Sequence, residues 1–248
     1  MRIAQSVAVL MLLVSPLSAN CRASVTETGR VVHDGQEVSM LTLSNGNGMT
    51  VRISNYAASV TDIMVPDRNG NADHVVLGFD SIESYFGRHP KFGATVGRYA
   101  NRIRNARFEL DGQIFHLDNN SKGHCIHGGA RGFNTQVFRI DTFYAERDTA
   151  VVSMSYLCPH LEGGFPGNLK LCVTYRLAGD NSLIIDYEAV TDRPTVVNVT
   201  NHTYFNLSGC RRPVLDHDYM IEADSITHVD AEGIPDGVLM PVQGTVYD

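Results

Sequence analysis

The sequence predicts an all-β domain, most simply a large antiparallel β-sandwich. In several segments apolar and polar residues alternate with a period of two, and turn-forming residues separate these segments at short intervals. No sustained helical period of apolar residues occurs, and only residues 82–86 suggest a helical turn. Short alternating segments joined by turns are typical of antiparallel sheets, because each strand buries one face and leaves the other polar.

The clearest hairpin begins at residues 169–177. Alternation places a set of apolar side chains on one face: Leu169, Leu171, Val173, Tyr175 and Leu177. Lys170 and Arg176 fall on the opposite face, which is therefore more polar. Residues 179–181, with the sequence Gly-Asp-Asn, then predict a turn into a second strand at residues 183–187.

A second hairpin is predicted at residues 107–117. Its two strands, residues 107–110 and 113–117, are joined by Asp111-Gly112, which suits a tight turn because both central positions need positive φ. Further strands are predicted at residues 37–43, 49–55, 151–157 and 196–207.

Composition and charge limit the classes of partner. Of the 248 residues, 43% are apolar and 19% are charged, as in globular proteins with a substantial core. The formal net charge is −7 and no basic run is longer than a pair, which argues against nucleic acid or an anionic membrane as the partner. A small neutral molecule is compatible with this balance. We predict a single domain at residues 24–248.

Residues 1–23 are predicted to be a signal peptide. Arg2 supplies a positive start, residues 7–14 are apolar, and small residues follow, so that cleavage after Ala19 or Ala23 fits the pattern. The apolar stretch is too short to span a bilayer comfortably. We therefore expect an exported protein, periplasmic or secreted, with no membrane attachment after cleavage. An ordinary N-terminal strand or a retained anchor is the alternative.

The cysteines do not form a recognisable framework. They are widely spaced and include no Cys-x-x-Cys pair: Cys21, Cys125, Cys158, Cys172 and Cys210. We expect mostly buried thiols and no structural zinc site. Whether Cys158 and Cys172 pair with each other stays open at this point.

The first polar stretch that packing alone would not require is residues 97–103. Asn101 and Arg102 together offer donors and an acceptor suited to the vicinal hydroxyls of a sugar. The alternative is a surface ion pair beside an Asn turn.

The second polar stretch is residues 124–129, His-Cys-Ile-His-Gly-Gly. Its glycines allow the backbone to approach a ligand closely, and His127 could hydrogen-bond or exchange a proton near neutral pH. The alternative is a Gly-rich turn that holds a satisfied histidine. A metal site built from His124, Cys125 and His127 lacks an evident further ligand, so we expect no metal.

The third polar stretch is residues 198–207. As an extended strand it would place alternate polar side chains on one face: Asn198, Thr200, His202, Tyr204 and Asn206. Such a face fits a wet groove, with His202 as a candidate acid, or an ordinary solvent-exposed sheet surface.

In this order, the stretches GRYANRI (97–103), HGG (127–129) with GF at 132–133, and NVTNHTYFNLSG (198–209) resemble the aldose 1-epimerases. Weaker matches are LGFDSIESY, EGGFPGNL and IEADSITHVDAEGIPDGVLMPVQGT, the last with Asp236 where the family more usually has threonine. The resemblance runs from about residue 45 to residue 248. It implies the galactose mutarotase-like supersandwich fold.

The resemblance also implies a reaction. Members of this family interconvert the α and β anomers of free aldoses such as galactose and glucose without a cofactor. An acid protonates the ring oxygen while a base removes the anomeric hydroxyl proton, and the opened ring recloses on the other carbonyl face. By motif, His202 corresponds to the acid and His127 to a second catalytic histidine that also binds the sugar, whereas Asn101 and Arg102 correspond to sugar-binding residues.

The family's base is a glutamate in a C-terminal segment, and we expect the chain to stop before it and the fold to be incomplete there. Glu162, Glu188 and Glu222 lie in no matching motif and are not assigned to that role. The alternative function is therefore a non-catalytic sugar-binding module. A further alternative is a half-protein that associates with itself or with a complementing chain through exposed sheet edges.

Overall fold

The structure is a computed structural model that describes residues 22–248. The predicted signal peptide lies outside the described residues except for Arg22 and Ala23. Strands dominate the described part, and its helices are single 3₁₀ turns. None of these helices is long and apolar enough to cross a membrane.

The first main sheet contains five antiparallel strands in chain order. These strands are β1 (Ser24–His33), β2 (Gln36–Ser44), β3 (Thr50–Ser54), β4 (Ser59–Pro66) and β5 (Ala72–His74). Five short strands follow: β6 (Thr95–Val96), β7 (Arg102–Ile103), β8 (Arg107–Leu110), β9 (Gln113–His116) and β10 (Cys125–Ile126).

The second main sheet contains four antiparallel strands, again in chain order. They are β11 (Arg139–Glu146), β12 (Thr149–Cys158), β13 (Leu169–Leu177) and β14 (Leu183–Thr191). The last strands are β15 (Thr200–Asn201), β16 (Ser225–Val229) and β17 (Pro235–Pro241). The 3₁₀ turns span Ile82–Tyr85, Arg104–Ala106, Phe133–Thr135, Glu162–Gly164 and Val214–Asp216.

The short strands form four two-stranded sheets, some between neighbouring segments and some between distant ones. β6 pairs with β15, β7 with β10, β8 with β9, and β16 with β17, all antiparallel. The β6–β15 pair joins residues about a hundred positions apart, and it brings two of the sequence motifs together.

The main core lies between the two large sheets. Apolar side chains of both sheets form one buried cluster, with members Leu41, Leu43, Val51 and Ile53 from the first sheet and Val152, Met154, Leu171 and Val173 from the second. Burial of each such side chain stabilises the fold by about 1.5–3 kcal/mol relative to exposure. The antiparallel β-sandwich predicted from alternation is thereby confirmed.

The two predicted hairpins are confirmed in detail. In β13 the five side chains assigned to the apolar face are all fully buried, and β14 follows after the turn. The β8–β9 turn has positive φ at Asp111 (53°) and Gly112 (76°), as a tight turn requires. The strands predicted at residues 37–43 and 151–157 lie within β2 and β12, and β3 forms all but the two end residues of the strand predicted at 49–55. The helical turn predicted at residues 82–86 is a 3₁₀ turn.

The prediction of one strand at residues 196–207 is wrong. Only β15 is regular there, and the side chains of Asn201 and Asn206 break the extended path. The Asn201 Oδ1 atom accepts a hydrogen bond from the backbone N–H of Thr203 (3.0 Å), and Asn206 Oδ1 accepts one from the N–H of Ser208 (3.0 Å). Because such Asx turns reverse the chain locally, the segment does not present its alternate side chains on one face.

The four cysteines of the described residues are free. Cys158 and Cys172 do lie on neighbouring strands, but Cys158 stands opposite Leu169 and Cys172 opposite Ser155. A register offset of three residues separates them by roughly 10 Å along the strands. That separation exceeds the Cα distance that a disulfide tolerates.

Arg98 is the largest fully buried polar side chain, with 2% of its surface exposed. Its Nη1 donates to the carbonyl oxygens of Pro166 (2.7 Å) and Gly167 (3.1 Å), and its Nη2 donates to Cys158 Sγ (3.0 Å). The guanidinium also lies 5.7 Å from the centre of the Phe165 ring. Arg98 therefore ties the segment before Asn101 to the loop between β12 and β13.

We expect Arg98→Met to lower the free energy of unfolding by about 3–5 kcal/mol, because it leaves several buried carbonyl oxygens without a donor at similar side-chain volume. Arg107→Met is the matched control. Arg107 is exposed on β8, and its loss should change stability by about 0.5 kcal/mol or less. Urea denaturation of both variants measures the difference. Equal losses of unfolding free energy in the two variants would show that the buried Arg98 hydrogen bonds stabilise the fold no more than an exposed arginine does.

Candidate functional site

The site forms where three sequence motifs pack against each other. A Cβ atom at Gly128 would lie 1.9 Å from the carbonyl oxygen of Gly97, and Gly128 has a φ of 86°. A Cβ atom at Gly97 would lie 2.7 Å from the buried ring of Phe133. Glycine is therefore required at both positions, and this close packing explains the glycines of the first two motifs.

His127 is fixed by the backbone that follows β10. Its N–H donates to the carbonyl oxygen of Asn101 (3.0 Å), which continues the pairing of β7 with β10. In return, the Asn101 N–H donates to His127 Nδ1 (3.1 Å). Because Nδ1 is an acceptor, the neutral His127 ring carries its hydrogen on Nε2.

His202 is fixed by the residues that precede the first motif. Its backbone N–H donates to the carbonyl oxygen of Ala94 (2.8 Å), and its carbonyl oxygen accepts from the N–H of Gly93 (3.1 Å). Asn201 Nδ2 also donates to the carbonyl oxygen of Gly93 (2.9 Å). These bonds extend the β6–β15 pairing and hold the His202 ring at one end of it.

The two histidine rings meet edge to face. Their centroids are 5.1 Å apart and their planes lie at 90°. The Tyr204 ring lies 5.1 Å from the His202 ring, and the Phe92 ring contacts Tyr204 at 5.4 Å. An aromatic frame thus limits the orientation of His202, while His127 and His202 both remain partly exposed.

Asn101 and Arg102 complete the cluster. Arg102 Nη1 donates to Asn101 Oδ1 (3.1 Å). The backbone N–H and C=O groups of Asn101 both form hydrogen bonds with His127, as described above. Arg102 forms no ion pair with a carboxylate in residues 22–248, whereas its neighbour Arg104 pairs with Asp230 (2.6 Å). The geometry therefore favours a binding guanidinium at Arg102 over the alternative of a surface ion pair. The structure brings all four predicted site residues together.

Burial and positive charge keep the histidines neutral. The pKa of His127 falls from its ordinary value of 6.5 to about 4, mainly because of burial, with smaller contributions from the positive charges of His202, Lys91 and Arg102. The pKa of His202 is also lowered, first by burial and then by Lys91, although a backbone hydrogen bond opposes the shift. Both rings are therefore mainly uncharged at neutral pH.

Lys91 is a site residue that the sequence alone did not identify. It is half-buried, and burial together with Arg88 lowers its pKa. Its charge acts on both His127 and His202. Two features of the sequence could have pointed to Lys91. It lies shortly before the first motif, and the chain contains only three lysines: Lys91, Lys122 and Lys170.

The residues considered for a metal site have other partners. His124 Nδ1 accepts the backbone N–H of Asn105 (3.0 Å), and His127 Nδ1 accepts that of Asn101. Burial raises the pKa of the Cys125 thiol to about 11, which disfavours the thiolate that metals bind. Residues 22–248 contain no group of three or more side chains placed to hold a metal ion.

The sequence and the fold resemble those of known proteins. The family model for aldose 1-epimerases matches residues 39–248. The chain is 40% identical over 228 residues to the galactose mutarotase of Rattus norvegicus, and these cover 91% of this chain and 65% of that protein. It is 42% identical over 201 residues to the galactose mutarotase of Homo sapiens, covering 81% of this chain and 57% of that protein.

A solved structure gives the same result at the level of the fold. The crystal structure of galactose 1-epimerase from Lactobacillus acidophilus NCFM superimposes with a TM-score of 0.81 at 31% identity, covering 92% of this chain and 65% of that one. The protein is thus a β-sandwich of the galactose mutarotase-like class. The chain belongs to the aldose 1-epimerase family. It spans about three fifths of the length of the curated relatives it matches.

We expect Lys91→Gln to raise the pKa values of both site histidines, because it removes a positive charge that opposes their protonation. Lys170→Gln, on the exposed face of β13, is the control and should change neither value. NMR titration of the histidine ring protons measures both. If the His127 and His202 pKa values are the same in Lys91→Gln and the wild type, Lys91 does not act on the site.

The lowered pKa of His127 also has a consequence for stability. Between pH 6.5 and about 4 the unfolded chain takes up a proton at this ring that the folded chain does not. The free energy of unfolding therefore loses a contribution from His127 as the pH falls through that window, and the contribution is complete above it.

Proposed function

We propose that this protein is an aldose 1-epimerase that interconverts the α and β anomers of free aldohexoses such as galactose and glucose. The observation that carries the proposal is the meeting of His127 and His202 beside Asn101 and Arg102, within a chain of the aldose 1-epimerase family. No cofactor is needed for this reaction, because two proton-transfer groups on opposite sides of the sugar suffice.

In this proposal His202 is the acid that protonates the ring oxygen. The imidazolium form of His202 is the minor one at neutral pH, because burial and Lys91 both lower the pKa of His202. Negative charge develops on the anomeric oxygen as its proton leaves, and this charge would favour the imidazolium when the sugar is bound. His127 is available to donate from Nε2, since its Nδ1 accepts from Asn101. Arg102 and Asn101 would bind sugar hydroxyls.

None of the three glutamates considered from the sequence is assigned as the base. Glu162 accepts a hydrogen bond from the hydroxyl of Tyr156 (3.0 Å), and Glu188 and Glu222 are exposed. Neither His127 nor His202 forms an ion pair with any carboxylate in this range. A second candidate is therefore a sugar-binding module that lacks the reaction by itself.

The test follows the optical rotation of freshly dissolved α-galactose with the purified chain and with buffer alone. We expect acceleration by the wild type and a loss of about a hundredfold or more in His202→Ala, the usual size for removal of a general acid. His116→Ala, which removes an exposed ring on β9, should keep the wild-type rate.

No acceleration by a folded chain would contradict the proposal. Galactose binding by that inactive chain, measured by calorimetry, would then favour the sugar-binding module. Wild-type rates in His202→Ala would show that another group is the acid.

We propose further that the active protein covers its exposed apolar side chains by association with itself or with a complementing chain. Several large apolar residues are almost fully exposed: Leu215 (92%), Tyr219 (88%), Met220 (85%) and Val246 (94%). β14 also has a free edge within the described sheet. Sedimentation of the sample used for the rotation assay tests this, and an active monomer would contradict it.

We also propose export to the periplasm or the medium. β1 begins at Ser24, so removal of the predicted leader leaves the described strands intact. The Ala23 backbone N–H donates to the carbonyl oxygen of Arg147 (3.1 Å), which favours cleavage after Ala19 over cleavage after Ala23. Expression of the full chain and intact-mass analysis of the secreted fraction should give a chain that starts at Asn20. A full-length chain retained in the cytoplasm would contradict export.

A further inference from the structure

A cavity of about 480 Å³ is lined in part by Arg102 and therefore borders the residue cluster described above. Its walls come from the turn before β10, with Ser121, Lys122 and His124, and from the loop between β16 and β17, with Glu232 and Gly233. Arg102 contributes to both the cluster described above and this cavity. A molecule bound by Arg102 could therefore extend from one into the other.

The cavity contains a buried donor without a partner. The His124 side chain is 7% exposed, and its Nδ1 accepts the backbone N–H of Asn105 (3.0 Å), so the neutral ring carries its hydrogen on Nε2. That Nε2 atom is buried and makes no hydrogen bond. An unpaired buried donor is costly, so the ring is arranged for an acceptor that enters the cavity.

Glu232 shows which acceptor suits the place. Its Oε2 atom lies 3.6 Å from His124 Nε2, which is too long for a hydrogen bond, and its side chain is 64% exposed. The Glu232 carboxylate thus lies near His124 Nε2 but does not form a hydrogen bond with it. Because the Glu232 side chain reaches into solvent, an incoming anion can displace it.

The opposite wall is positively charged and close. Gly233 has a φ of 74°, which disfavours other residues there, and a Cβ atom at this position would lie 3.1 Å from Arg102 Nη1, so the loop closely approaches the guanidinium. Asp230 Oδ1 holds this loop by accepting the backbone N–H groups of Glu232 and Ile234, each at 3.0 Å. Lys122 adds a second positive charge, and Glu232 is the only carboxylate among the described residues that line the cavity.

We propose that this cavity is a subsite for an anionic group, a carboxylate or a phosphate, carried by the sugar that Arg102 binds. The inference rests on the proposed function and adds a substrate class to it: acidic aldoses such as hexuronates or aldose phosphates. Among the described residues that line the cavity there is no Phe, Tyr or Trp, so it offers no large aromatic platform for a second neutral sugar ring. Its donors are Arg102, Lys122 and the His124 ring, which suit an anion.

Binding of inorganic phosphate to the purified chain, followed by calorimetry and by the NMR signals of the His124 ring, tests the subsite directly. We expect Lys122→Gln to weaken phosphate binding about three- to tenfold and Glu232→Gln to strengthen it by a similar factor, because each changes one nearby charge. The matched control Lys170→Gln should bind phosphate as the wild type does. Equal affinities in Lys122→Gln, Glu232→Gln and the control would overturn the subsite.

Optical rotation assays then distinguish a carboxylate from a phosphate as the bound group. They also test the anion subsite separately from the proposed epimerase activity. Galacturonate tests the carboxylate and galactose 6-phosphate tests the phosphate, each as the ratio of its kcat/KM to that of galactose. We expect at least one ratio to fall about three- to tenfold in Lys122→Gln and to stay unchanged in Lys170→Gln. If the chain turns over galactose but both kcat/KM ratios are the same in Lys122→Gln and the wild type, the subsite is overturned and the enzyme proposal stands. Absence of galactose turnover, with charge-dependent phosphate binding, would overturn the enzyme proposal but leave an anion site.

Discussion

The site depends on one buried cation. Arg98 is enclosed by carbonyl oxygens of the loop between β12 and β13, with the Phe165 ring beside it. It has no ion-pair partner among residues 22–248, and its Nε atom is left without an acceptor. A buried guanidinium without an ion-pair partner is stable only if its other N–H groups keep their hydrogen bonds. These bonds therefore fix the position of the β12–β13 loop relative to the segment before Asn101. His127 bonds to that same Asn101 backbone, and its place follows from the same constraint.

The electrostatics of the site act in one direction. Lys91, Arg102 and the paired histidines place positive groups close together, and burial strengthens their mutual repulsion. The rings respond by staying neutral, which leaves Lys91 and Arg102 as the permanent charges. Such a site attracts oxygen atoms that carry or develop negative charge, whether these belong to an opening sugar, to a catalytic carboxylate or to a substituent of the substrate.

One-sided burial made β13 the clearest prediction from the sequence. β13 alternates cleanly because one face packs in the core, whereas β4 is buried on both faces over most of its length and shows no alternation. β11 contains a register shift near Ile140, which interrupts its period, and neither strand was predicted. The site residues were found through motifs, while Lys91 was missed because its role arises from backbone pairing between distant segments.

Three polar residues of the site stand on left-handed backbone. The φ angles are 63° at Lys91, 63° at Asn101 and 54° at His127. Side chains in this conformation project from the tips of turns, and β-branched residues are strongly disfavoured there. A saturation library at these positions would therefore recover folded clones mainly with Gly, Asn, Asp or His, whatever the selection for activity. The range of chemistries that evolution can test at this site is set first by the backbone.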